Sequence, residues 1–101
     1  MFKLEPNPTF FAPVEIHVPG QGKGTIEVEY RYLDKPARKV YFDALASKTN
    51  LDALSEIVVG WREIDAPFTL DNLKRLLDAY DSAQALFDGF VAELHGAAEK
   101  N

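Results

Sequence analysis

The fold is decided by residues 14–33, which read VEIHVPGQGKGTIEVEYRYL. Apolar and polar side chains alternate on both sides of a glycine-rich segment, and this period of two is typical of strands with one buried face. The apolar positions are Val14, Ile16 and Val18 before the glycines, then Ile26, Val28, Tyr30 and Tyr32 after them. The glycines permit the positive φ angles of a hairpin connection. We therefore predict two antiparallel strands whose apolar face is covered by other elements.

After residue 35 the apolar residues recur every three or four positions, which indicates amphipathic helices. Helix starts are predicted at Pro36, at Thr49 or Asn50, at Thr69, and at Asp81 or Ser82. The residues predicted to face inward are Val40, Tyr41, Ala44 and Leu45 on the first helix, and Leu51, Leu54, Ile57, Val58 and Trp61 on the second. Pro67 predicts a break before the third helix.

These patterns predict an α+β fold that is mostly helical, with an N-terminal two-stranded antiparallel hairpin followed by about four helices. The 101 residues are too few for two independent cores, so we expect one domain spanning 1–101. Its predicted parts are an extended arm, 1–13, the hairpin, 14–33, and a helical part, 36–98.

Charge and composition exclude several functions. The net charge is −5 and the basic residues are scattered, which disfavours binding to nucleic acid or an anionic membrane. Without cysteine the chain has no disulfide, thiol chemistry or cysteine-based zinc site. No apolar run is long enough to span a bilayer, and the first nine residues lack an apolar signal core. We expect a cytoplasmic protein.

No catalytic, metal or cofactor site is predicted. The glycine-rich segment at residues 20–25 has the wrong spacing for a phosphate loop and precedes a strand rather than a helix. His17 and His95 lack the additional ligands that a metal ion needs. The serines lie at helix ends or on a helix without a partner base, and the paired carboxylates lie on exposed faces. The sequence therefore predicts a binding protein rather than an enzyme.

Several phenylalanines fall outside the predicted stripes, and two interpretations remain open. The N-terminal arm wraps the core and the rings seal its edges, or some rings stay exposed for an apolar partner segment. The candidate partner contacts are Phe10, Phe11, Phe42, Phe68, Phe87 and Phe90. Spare apolar surface also predicts a homo-oligomer. Trp61 is interpreted as a structural anchor that holds the following linker against the core.

Residues 58–73, VVGWREIDAPFTLDNL, resemble the tail assembly chaperones of siphophage-type phages and prophages. In that family a helix ends in a Val-x-Gly-Trp-like motif, followed by a linker with an acidic residue and Phe-Ser/Thr, then by a helix opening with Glu/Asp-Asn-Leu. The opening residues 2–14 and the final segment 85–94, ALFDGFVAEL, are also similar to the family. The resemblance covers nearly the whole chain.

The resemblance implies a chaperone that binds the tape measure protein and keeps it soluble during tail assembly. It also implies a longer form, made by programmed frameshifting, that recruits tail tube protein. The codons GAA-AAA-AAC would encode Glu99-Lys100-Asn101 and contain a slippery heptamer, A AAA AAC. The alternatives are a minor tail or connector protein that remains in the virion, and a small enzyme or regulator unrelated to phages.

Overall fold

The computed structural model describes residues 1–96, in which three strands form one antiparallel sheet in the order β1-β2-β3. Along the chain the elements are β1 (Thr9–Val18), β2 (Gly22–Arg31), α1 (Lys35–Asp43), α2 (Asn50–Ile57), β3 (Val58–Arg62), α3 (Leu70–Ala79) and α4 (Ala83–Leu94). A short 3₁₀ turn, Leu45–Ser47, connects α1 to α2. The end of the predicted helical part, residues 97–98, lies outside the described residues.

The prediction of a two-stranded hairpin in a mostly helical fold is wrong, because β3 adds a third strand and helix accounts for only 44% of residues 1–96. The predicted second helix ends at Ile57, and Val58 already has extended backbone angles. Two β-branched valines favour this conformation. Gly60 lies opposite Glu29 of β2 in this pairing.

The antiparallel hairpin itself is confirmed, with Val14 opposite Ile26. Its turn is closed by the Gln21 N–H, which donates to the Val18 carbonyl at 2.9 Å. Proline at the first central position and a glycine with φ 80° at the second are typical of a type II turn. The strand begins at Thr9 rather than Val14, so residues 9–13 belong to the sheet and not to an arm.

The helices cover one face of the sheet and build one apolar cluster with it. The sheet contributes alternate residues, and all four helices contribute to the same cluster. Its buried members are Ala12, Val14, Ile16, Ile26, Val28, Tyr30, Tyr41, Leu54, Ile57, Val58, Leu73, Leu86 and Phe90. The predicted apolar face of the hairpin is therefore the buried face, and the opposite face carries charged side chains such as Glu15 and Arg31.

Side-chain caps fix most of the helix starts. Thr49 and Thr69 accept hydrogen bonds from the backbone N–H groups of Asp52 and Asn72, at 3.1 and 3.0 Å, as the sequence predicts. Pro36 lies in the first turn of α1, also as predicted. Ser82 precedes α4 but does not cap it with its side chain; it is buried and its hydroxyl donates to the Leu76 carbonyl at 3.2 Å.

Gly89 allows α4 to lie close against the sheet. A Cβ at this position would be 2.8 Å from Cγ2 of Val14 and 3.0 Å from the hydroxyl oxygen of Tyr30. Gly89→Ala is therefore expected to lower the free energy of unfolding by about 1–3 kcal/mol, although alanine favours helix by about 1 kcal/mol. Urea denaturation measures the change. Gln84→Ala, at an exposed position of the same helix, is the control, and equal stability of the two variants would contradict the close approach.

Two buried tyrosines connect the helices to the core through their hydroxyl groups. Tyr30 donates to the Leu86 carbonyl of α4 at 2.6 Å, and Tyr41 donates to the Ala53 carbonyl of α2 at 2.7 Å. Each hydroxyl proton is therefore used in a buried hydrogen bond, which favours the neutral phenol.

The pKa values of these tyrosines predict a loss of stability at high pH. Burial raises the pKa of Tyr30 and Tyr41 well above the ordinary value near 10, and the charges of Asp88 and Glu56 raise them further. The neutral forms stabilise the fold fully below about pH 10, the unfolded value, and that contribution is lost as the pH rises toward the folded values. The urea concentration at the midpoint of unfolding, measured from about pH 8 to about pH 11, should decrease once the pH exceeds about 10. A Tyr30→Phe/Tyr41→Phe variant should show a flatter profile, and an equally steep one would contradict this assignment.

Candidate functional site

A large concave surface lies between α1 and the end of α2, and we call it the α1 groove. Its volume is about 590 Å³. Apolar side chains form most of it: Leu33, Ala37, Val40, Tyr41, Ala44 and Ile57. Its charged members are Arg31, Lys48 and Glu56. An apolar groove beside a helix is a surface to which the apolar face of another helix can bind.

The α1 groove exists because α1 is apolar on two sides. Tyr41 points into the core, whereas Val40 is 71% exposed. Ala37, Val40 and Ala44 are spaced by three and four residues, so they share one helix face, and that face lines the groove. The prediction that Val40 faces inward is wrong, because its neighbour Tyr41 occupies the core-facing position of this turn.

The charges at the rim of the groove are largely paired with one another. Lys48 forms a salt bridge with Glu56 at 2.5 Å and lies 5.6 Å from the ring centre of Tyr41. The guanidinium group of Arg31 donates to the backbone carbonyl of Glu56 at 3.2 Å. The groove therefore presents an apolar floor, with one ion pair and one additional positive charge, that of Arg31, at its edge.

The phenylalanines predicted as partner contacts are not brought together on one surface, and three of them belong to the core. Phe90 is completely buried, so it offers no surface to a partner in this fold. Its ring packs against Phe10 and Phe42, with centroid distances of 6.1 and 6.3 Å, and against Tyr30 at 5.4 Å. This aromatic packing supports the interpretation that Phe10 and Phe42 seal the core.

The remaining three phenylalanines lie apart from one another. Phe11 is on the charged face of the sheet, where the guanidinium carbon of Arg62 lies 3.8 Å from its ring centre. Phe68 packs edge-on against Trp61, and Phe87 is partly buried against the core while also lining a shallow hollow beside α4. None of them lines the α1 groove.

With this geometry established, a comparison with known families assigns the chain. A family model described as phage tail assembly chaperone matches residues 1–101, the whole chain. The chain belongs to this family. No curated protein and no solved structure gives a match. Membership supports a chaperone role in tail assembly, with protein partners in the tail.

In this tail assembly chaperone, Trp61 holds the linker that follows β3. Its indole N–H donates to the carbonyl of Ala66 at 2.8 Å, and its ring meets Phe68 at a centroid distance of 5.0 Å with perpendicular planes. The residue lies in a strand rather than at the end of the predicted helix. Trp61 thus contacts the linker at Ala66 and Phe68, and its role as a structural anchor stays a prediction.

The tail assembly chaperone family is not known for enzymatic activity. Among residues 1–96 no group of three or more histidine, aspartate or glutamate side chains could hold a metal ion. In the same residues, no helix has both the length and the apolar character needed to cross a bilayer.

The surface residues that sequence analysis missed are exposed apolar side chains outside the phenylalanine set. They are Leu4, Val40, Leu70, Tyr80 and Val91, together with Phe2, which was noted but not selected. For Val40 a signal was present, because Ala37, Val40 and Ala44 form a second apolar stripe on α1.

Proposed function

We propose that this tail assembly chaperone binds apolar helical segments of the tape measure protein in its α1 groove and so keeps that protein soluble. The single observation that carries the proposal is the unpaired apolar face of α1, on which Val40 is 71% exposed beside a groove of about 590 Å³. Residues 1–101 act as one domain in the host cytoplasm, where the tail assembles.

The groove suits reversible binding. Burying one large aliphatic side chain contributes about 1.5–3 kcal/mol, and a groove of this length accommodates a few of them. Association itself costs at least about 4 kcal/mol of rotational and translational freedom. For three buried side chains at most about 5 kcal/mol is left, so the net affinity of one chain for one segment is modest, with a Kd of about 0.2 mM or weaker. Such an affinity allows release when the tail tube forms around the tape measure protein.

A longer form of the chain would extend this function to a second partner. In the proposal, frameshifting near codons 99–101 adds a domain that recruits tail tube protein to the chaperone-bound tape measure protein. Glu99, Lys100 and Asn101 lie outside the described residues. Sequencing these codons tests the step: the run A AAA AAC supports it, and the absence of any slippery run contradicts it.

Co-expression tests the proposed function. The tape measure protein is produced alone and together with this chain, and the soluble fraction of each culture is measured. The proposal predicts that most of the tape measure protein is insoluble alone and soluble in the co-expression. Equal solubility in the two cultures would contradict it. Mass spectrometry of purified phage should also find the chain absent, whereas its retention would favour a connector or minor tail protein.

A further inference from the structure

The first eight residues form an arm, residues 1–8, that does not wrap the core. Phe2 is 94% exposed and Leu4 is 99% exposed, so neither side chain packs against the rest of the described chain. Lys3 lies between them and bonds only within the arm, to the side chain of Asn7 at 2.9 Å. Two large apolar side chains on either side of a cation are thus left without a partner. Of the two interpretations left open by the sequence, exposure is therefore the one that applies to Phe2.

A second concave surface, separate from the α1 groove, lies at the opposite end of β2. We call it the acidic cleft. Its volume is about 370 Å³, and its apolar lining is Ile16, Val18, Ile26, Ile64, Leu76 and Tyr80. The charged lining residues are Glu63 and Asp65. A smaller hollow of about 180 Å³ beside Trp61 shares four of these residues and extends the cleft along α3.

The two carboxylates of the acidic cleft are available to a cation. Neither Glu63 nor Asp65 forms a salt bridge within residues 1–96. Glu63 has a φ of 70°, an unfavourable angle for a residue with a side chain. The linker thus holds Glu63 at the cleft at a cost in backbone energy. An apolar lining edged by two free carboxylates matches an apolar segment that carries a lysine.

The arm cannot fill the cleft of its own chain. Leu4 precedes Thr9 by five residues, so an extended arm places it at most about 17 Å from the start of β1. The nearest β1 residue of the cleft is Ile16, which lies seven residues along the strand, about 23 Å from Thr9. The arm also bends at Leu4 and Glu5, which shortens its reach further. The arm of another molecule has no such restriction.

We propose that the arm of one copy binds in the acidic cleft of a second copy. Phe2 and Leu4 occupy the apolar lining, and Lys3 lies beside Glu63 and Asp65. The acid of the arm, Glu5, follows on the side nearer to β1 and away from the inserted residues. This contact goes beyond the proposed function, because it uses neither the α1 groove nor the tape measure protein. Both surfaces can therefore be occupied at once.

Light scattering coupled to size-exclusion chromatography tests the contact. The molar mass of the wild-type chain should rise with concentration between about 10 µM and about 1 mM, a range that fits two copies exchanging arms so that four large apolar side chains are buried. The Phe2→Asp/Leu4→Asp variant should remain at the monomer mass. The matched control is Leu70→Asp/Val91→Asp, which adds the same two negative charges at exposed apolar positions outside the acidic cleft and should associate like wild type. A wild-type chain that stays monomeric throughout, or an arm variant that associates equally well, overturns the proposal.

Reversing the charges of the arm and of the cleft distinguishes loss of this contact from a folding defect. Lys3→Glu in one chain and Glu63→Lys/Asp65→Lys in another should each weaken self-association at least tenfold, because arm and cleft then carry the same sign. Mixing the two variants pairs each arm with a cleft of opposite charge, and the mixture should associate again. Failure of the mixture to exceed both single variants would contradict the assignment. If the chain self-associates but does not bind the tape measure protein, the proposed function fails. If it binds the tape measure protein but does not self-associate, the arm contact fails.

Discussion

Phe90→Ala is expected to lower the free energy of unfolding by about 3–5 kcal/mol. Phe90 is completely buried and packs against the rings of Phe10, Tyr30 and Tyr41. Truncation removes the transfer energy of the ring and leaves a cavity among aromatic neighbours that cannot collapse without moving α1 or α4. Because a domain of this kind is stable by about 5–15 kcal/mol, the variant should lose a large part of its stability. Urea denaturation followed by far-UV circular dichroism measures the loss.

Phe87→Ala is the matched control, since it removes the same ring from the same helix at a partly buried position. We expect it to cost less than half as much as Phe90→Ala. Equal losses for the two variants would contradict the assignment of Phe90 to the centre of the core. A Phe90→Ala chain that is as stable as wild type but binds its partner poorly would instead support a contact role for Phe90.

Val40→Asp is expected to abolish the solubilisation of the tape measure protein while leaving the fold intact. The side chain is 71% exposed, so its replacement should change the free energy of unfolding by no more than about 0.5 kcal/mol. In the bound state, however, the carboxylate would lie against an apolar segment and lose its hydration. That penalty should weaken binding by at least about tenfold to a hundredfold. The soluble fraction of co-expressed tape measure protein provides the measurement.

Val91→Asp is the matched control for this prediction. Val91 is also an exposed valine, 36% exposed, but it lies on α4 and outside the α1 groove. The introduced charge is therefore the same while the proposed contact is preserved, and the tape measure protein should stay soluble. Equal loss with both variants would point to a general effect of added negative charge on the chaperone, and an unaffected Val40→Asp variant would exclude the groove.

The hairpin could be predicted from sequence because its signals are local. Strict alternation from Val14 to Tyr32 specifies which face is buried, and Pro19-Gly20 specifies the turn. The caps at Thr49 and Thr69 are local in the same sense, since each hydroxyl bonds a backbone N–H three residues on. These predictions needed no knowledge of the rest of the molecule.

The third strand could not be predicted because its stabilisation comes from a distant segment. Five residues are too few to distinguish alternation from the end of an apolar helix stripe. What makes Val58–Arg62 a strand is pairing with β2, where Gly60 lies opposite Glu29 and Trp61 opposite Val28. Backbone hydrogen bonds to a partner strand override a helical pattern of side chains.

The candidate site was missed for a related reason. For the phenylalanines outside the stripes the sequence left two interpretations open, sealing of the core or exposure to a partner. Phe10 and Phe42 pack against the core, which draws residues from strands and helices together. Conversely, Val40 falls in the same helical turn as Tyr41, and periodicity alone does not decide which of the two faces inward. Burial of the larger aromatic side chain gains more apolar contact and leaves valine on the surface.

Photo-crosslinking from position 40 tests the central claim most directly. A chain with benzoylphenylalanine in place of Val40 is co-expressed with the tape measure protein, irradiated, and analysed by mass spectrometry; a chain with the same group at Val91 serves as the control. If the tape measure protein binds in the α1 groove, we expect crosslinks from position 40 to its apolar helical segments, and few or none from position 91. Crosslinks of equal yield from both positions, or none from position 40 in a soluble complex, would contradict it.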